Sequence, residues 1–78
     1  MSEFSNGRNV AIHDLTAREE EVLRRTSLGQ TNAQVADALG VTVHAVKFHL
    51  GSIFRKLGVR NRTEAAAIYL RELSGTAR

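Results

Sequence analysis

The side chains best suited to chemistry in this sequence gather in one block. Between Ala38 and Thr63 stand five cations, Lys47, Arg55, Lys56, Arg60 and Arg62, and two imidazoles, His44 and His49. No Asp or Glu lies among them. Ammonium and guanidinium groups gathered without counter-charges attract a polyanion. The chain of 78 residues holds 11 Lys+Arg and 8 Asp+Glu, a net charge of +3. That total divides into +5 over the 26-residue block and −2 over the remainder. A solvated basic helix face is the plain alternative, so the pattern inside the block has to decide.

The same inventory gives little to an enzyme. His13 and Asp14 are adjacent, but no Ser or Cys nucleophile is arranged beside them. Glu19, Glu20 and Glu21 fall at a helix start, where the helix dipole favours anions. With no Cys, a thiol nucleophile, a disulfide framework and a cysteine zinc site are all excluded. His44 and His49 diverge by about 140° around a helix, so they do not form a metal pair. No cofactor and no small-molecule ligand is expected. A chain this short is one domain at most, because domains typically run to about 100 residues or more. The apolar run Ala65-Ala66-Ala67-Ile68 is far short of the roughly 18–20 residues of a bilayer span. No charged and then apolar leader marks a secretory signal.

Four helices are expected to position the basic block. Thr16-Ala17-Arg18-Glu19 has the form of a capping box, in which the Thr hydroxyl and the Glu carboxylate each take an end amide. It opens a first helix over about 17–28 with Val22, Leu23 and Leu28 as apolar positions, ended by Gly29. Thr31-Asn32-Ala33-Gln34 opens a short second helix over about 32–39, with Val35, Ala36 and Leu39 on one face. Thr42 caps a third helix over about 43–57. Its apolar positions, Val43, Val46, Leu50, Ile53, Phe54 and Leu57, form one stripe at helical spacing. Gly58 ends it. Asn61-Arg62-Thr63-Glu64 starts a fourth helix over about 62–73. No segment alternates as a strand does, so the fold class is all-α. Residues 1–13 read as a flexible arm, 14–73 as the domain and 74–78 as a frayed tail.

The join Leu39-Gly40-Val41-Thr42-Val43 has the outline of a helix-turn-helix. Gly40 supplies the positive φ that the turn needs. Ala36 is small enough for the two helices to cross there, and Val35, Leu39, Val41 and Val46 close the core between them. On a wheel of about 100° per residue, His44, Phe48, Gly51 and Arg55 share a sector outside the stripe, with Lys47 at its edge. A helix face of this kind suits a DNA major groove. Lys47 is a donor for guanine or phosphate, His44 for a base edge or a backbone oxygen, and Phe48 is a contact for a thymine methyl. Gly51 costs about 1 kcal/mol in mid-helix relative to Ala, and it permits close approach of DNA. Thr31, Asn32 and Thr42 cap two helix ends beside this face, where free amides and the dipole favour phosphate. Lys56, Arg60 and Arg62 extend the basic surface. On the fourth helix Ala65, Ala66, Tyr69 and Leu73 are expected to face the core. Ala67, Ile68 and Arg71 then face outward, as candidates for a symmetric dimer contact.

The stretches 15–23, 29–36, 41–49 and 55–65 resemble, in order and spacing, the LuxR-type (NarL/FixJ-type) DNA-binding domain of bacterial transcription regulators. The resemblance spans about residues 14–73. It implies a four-helix helix-turn-helix domain that binds double-stranded DNA through its third helix and forms a homodimer through its fourth. It also implies transcription control in the bacterial cytoplasm, at the nucleoid. Lys47 and Phe48 then correspond to positions that meet bases or backbone, and Asn32, Thr42 and Arg62 to positions near phosphate. Two residues depart from the pattern, Ala45 where Thr is usual and Gly51 where a longer polar side chain is common. Regulators of this type carry a sensing domain ahead of the DNA-binding part, so the chain fits either a fragment of such a regulator or a small stand-alone member. The competing reading is a protein-interaction module that contacts RNA polymerase or another regulator. Sigma-factor region 4, with its similar helix-turn-helix, is the nearest decoy.

Overall fold

The computed structural model describes residue 12 and residues 14–76, with side chains as far as residue 73. The expected arm at 1–13 therefore lies outside the described residues except for Ile12. That residue is half-buried and packs on the core together with Leu15.

Four helices follow in order: α1 (Ala17–Ser27), α2 (Asn32–Leu39), α3 (Val43–Leu57) and α4 (Arg62–Thr76). There is no strand among the described residues. Local chemistry explains the boundaries. The Thr16 hydroxyl accepts from the Glu19 amide while the Glu19 carboxylate accepts from the Thr16 amide, both at 3.0 Å. Thr31 and Gln34 repeat this box at α2, and Thr42 accepts from the Ala45 amide at α3. At α4 the Asn61 side chain accepts from the Glu64 amide. The Glu64 carboxylate reaches past Asn61 to the Arg60 amide, so this start is a cap rather than a reciprocal box.

The C-terminal ends are closed by backbone. Gly40 takes φ 70°, and the Val41 and Gly40 amides donate to the carbonyls of Ala36 and Asp37. This Schellman turn satisfies the last carbonyls of α2 and aims the chain into α3. Helix α4 continues to Thr76, past the expected end at residue 73, so the expected frayed tail is helical in its described part.

The core consists of Val22 and Leu23 from α1, Val35 and Ala36 from α2, Val46, Leu50, Ile53 and Leu57 from α3, and Ala65 from α4. The expected stripe on α3 is buried at Val46, Leu50, Ile53 and Leu57. Phe54 is half-buried, and Val43 is exposed because no preceding turn covers the first residue of the helix. Leu28, expected within the first helix, instead caps it and is exposed. The faces of α4 also differ from expectation. Ile68 is half-buried against the core, whereas Leu70 and Leu73 are exposed. Ala67 and Arg71 are exposed as expected. No helix of the described residues is long and apolar enough to cross a membrane.

Candidate nucleic-acid interface

The packing of α3 decides which of its side chains can act. Burying Val46, Leu50, Ile53 and Leu57 leaves His44, Lys47, Phe48 and Arg55 exposed on the other side. Phe48 is 69% exposed, a large aromatic surface left in solvent on a helix with a well-ordered apolar stripe. Its ring meets His49 edge-on, with centroids 6.1 Å apart. His49 itself is half-buried. Lys47 and Arg55 make no ion pair with any described residue.

Beside this face lies a shallow groove lined by Asn32, Lys47, Leu50, Gly51, Phe54, Arg60, Asn61 and Arg62. Five of the expected contact residues, Asn32, Lys47, Gly51, Arg60 and Arg62, thus meet at one place. Arg62 organises one side of it. Its guanidinium donates through Nη1 to the Asn32 side-chain oxygen at 3.1 Å and through Nη2 to the Gln30 carbonyl at 2.8 Å. The start of α4 is thereby tied to the start of α2. With its oxygen engaged by Arg62, the amide group of Asn32 has its NH2 left to donate. Thr31 and Thr42 are exposed at the helix starts, with their hydroxyl oxygens accepting from the Gln34 and Ala45 amides. Their hydroxyl hydrogens remain as donors toward an anion.

Lys56, expected to extend the basic surface, lies elsewhere. Its ammonium pairs with the Glu19 carboxylate at 2.8 Å and donates to the Asp14 carbonyl at 3.3 Å. The Ser52 hydroxyl donates to the second Glu19 oxygen at 2.6 Å. Burial pushes the Glu19 carboxyl up, but the Lys56 ammonium, the Ser52 hydroxyl and the Thr16 amide together outweigh it and hold the pKa at about 2. This cluster fastens α1 to α3, and it gives the exposed Lys56 a carboxylate partner. On α1 the Glu21 carboxyl is likewise lowered, chiefly by its hydrogen bond to Arg25 and also by Arg24. Near α3, Lys47, Arg55 and Arg60 are exposed without an ion pair among the described residues, and Arg62 is half-buried.

Sequence reasoning missed Asn61 as part of the groove and the Gln30 carbonyl as an anchor for Arg62. Only the capping pattern at Asn61 signals anything there, and nothing signals a backbone carbonyl. No group of described residues has the composition to hold a metal ion.

Comparison with known proteins agrees with this geometry. The family model described as bacterial regulatory proteins, luxR family, matches residues 13–69. The chain is 42% identical over 59 residues to the probable transcriptional regulatory protein SgaR of Hyphomicrobium methylovorum, covering 76% of this chain and 28% of that protein. It is 48% identical over 52 residues to the transcriptional activator protein AnoR of Acinetobacter nosocomialis, covering 67% of this chain and 22% of that one. With the transcriptional activator protein ExpR of Dickeya dadantii it shares 41% over 66 residues, 83% of this chain and 26% of that protein. The chain thus spans about a quarter of the length of these relatives. No solved structure matches it. With capped helices, a glycine turn and a free basic helix face at the positions that the family model covers, the chain belongs to the luxR family of bacterial regulatory proteins.

Proposed function

We propose that this domain binds double-stranded DNA with α3 in the major groove, and that it does so as a symmetric dimer joined through α4. The observation that carries the first part is the outward face of α3. His44, Lys47, Phe48 and Arg55 are exposed there, and neither Lys47 nor Arg55 forms an ion pair among the described residues. A helix about 10–12 Å across fits a major groove about 12 Å wide. The helix starts capped by Thr31 and Thr42, with Asn32, Arg60 and Arg62 nearby, are placed to hold phosphates and so fix the depth and angle of α3. Base readout then belongs to Lys47, His44, Phe48 and Arg55, with Gly51 permitting close approach. The relatives named transcriptional activators or regulators support a role in bacterial transcription.

For the dimer, the exposed face of α4 offers Ala67 and Arg71, with Leu70 in place of the expected Ile68. Small and apolar side chains side by side let two helices approach closely. A twofold pair would present two α3 helices to half-sites about 10 bp apart.

The test is fluorescence anisotropy with a generic duplex at graded salt. Binding at about 50 mM salt that weakens with a log–log slope of about −0.9 per phosphate neutralised is the expected result. Absence of binding at that salt overturns the proposal and favours the protein-interaction reading.

A further inference from the structure

We infer that Gly51 and Arg55 act as a pair, in which the missing side chain at 51 seats the Arg55 guanidinium against a guanine in the major groove. The inference rests on the proposed docking of α3 and names the base that one of its residues reads.

Nothing inside the protein requires glycine at 51. The residue is helical, its φ is ordinary, and it is only half-buried. A Cβ built there would meet a single atom within 4 Å, Nη1 of Arg55 at 3.9 Å. The space over Gly51 is therefore open to solvent on one side and bordered by one guanidinium on the other. Side chains on a helix lean toward its N-terminus and lie over the residue four positions earlier. Arg55 follows this rule and extends back along α3 toward the gap.

Two consequences follow for a groove-bound α3. The helix surface is lowest at Gly51, so the backbone approaches the base edges most closely there. The guanidinium that borders the gap is free of any ion pair among the described residues. Arginine presents a planar fork that matches guanine O6 and N7 in a bidentate contact, the commonest specific contact in the major groove. A long side chain at 51 would fill the gap and turn Arg55 outward toward phosphate. Gly51 is thus a specificity-determining residue without a side chain of its own, and Arg55 is the reader that it admits.

The test is selection of bound sequences from a random duplex pool by the wild-type chain, Arg55→Gln, Gly51→Gln and the double variant. The wild type is expected to select a fixed guanine, and Arg55→Gln to lose that guanine alone, with discrimination at the position falling roughly 5- to 150-fold. Gly51→Gln is expected to lose the same guanine, and the double variant to lose no more than either single one, since the two residues act as a unit. Circular dichroism checks that Gly51→Gln folds, as the open space predicts. A uniform loss of affinity in Arg55→Gln, with the selected motif intact and the salt slope reduced by about 1, puts Arg55 on phosphate and overturns the inference. Retention of the guanine by Gly51→Gln overturns the pairing. Failure of the wild type to bind any duplex is a different result, and it overturns the docking of α3 itself.

Discussion

Lys47 stands at the edge of the exposed face of α3, and it borders the groove that Asn32 and Arg62 share. Replacing it with Ala is expected to weaken DNA binding by about 1–3 kcal/mol if it reads a base. A selection experiment on this variant separates the two roles, because loss of one motif position means base contact and a uniform loss means phosphate contact. Gly51→Ala adds only an ordinary van der Waals contact at 3.9 Å and removes a mid-helix glycine. Thermal unfolding is expected to show a gain of about 0.5–1 kcal/mol, and unchanged or lower stability would mean that the helix is constrained at 51. At this scale the sequence conveys exposure well. Phe48 reads as solvent-facing because the apolar stripe has no place for it. It conveys long-range pairing poorly. Lys56 looks like one more outward cation until its partner Glu19, 37 residues away in the chain, comes into contact with it.

Two polar ties hold the helices in the arrangement that presents α3. The Glu19 cluster joins α1 to α3. A carboxyl whose pKa falls from 4.5 to about 2 on folding contributes stability that is fully present above pH 4.5. That contribution is lost as the pH falls from about 4.5 toward 2, and it amounts to at most about 3 kcal/mol. Glu19→Gln is therefore expected to destabilise the domain at neutral pH and to flatten the acid limb of its stability profile in urea unfolding. A variant with the same acid limb as the wild type would contradict the assignment. The second tie is Arg62, which bridges α4 to the start of α2 through Asn32 and the Gln30 carbonyl. Arg62→Ala is expected to cost about 1–3 kcal/mol in urea unfolding. Arg62→Lys is expected to recover little of it, because an ammonium cannot present two donors in a fixed fork. The caps and glycines make the limits of α2 and α3 legible in the sequence to the residue. The orientation of α4 is legible only in part, because Ala65-Ala66-Ala67-Ile68-Tyr69-Leu70 is apolar around the whole helix. Tyr69 turns inward as the sequence suggests, but only contact with the other helices shows that Ile68 also turns inward while Leu70 turns out.

Across the whole molecule, charge is sorted by face. Two of the acidic groups of α1, Glu19 and Glu21, are spent on Lys56, Arg24 and Arg25, while Lys47, Arg60 and Arg62 line the groove. The net charge of +3 understates this, because it averages a nearly neutralised scaffold with a basic face. The exposed side of α4 is the other unsatisfied surface. Leu70→Asp is expected to abolish association in sedimentation while leaving the monomer folded, and to lower DNA affinity for a two-half-site duplex more than for a single half-site. Unchanged sedimentation would remove α4 from the interface. The presentation of α3 is the claim on which the rest depends, and amide chemical shifts recorded while duplex DNA is added to the chain test it most directly. The account predicts that the largest changes fall on His44, Lys47, Phe48, Gly51 and Arg55, with a second group at Thr31, Asn32, Thr42 and Arg62. Changes confined to α1 and the outer face of α4, or no changes at low salt, would contradict it.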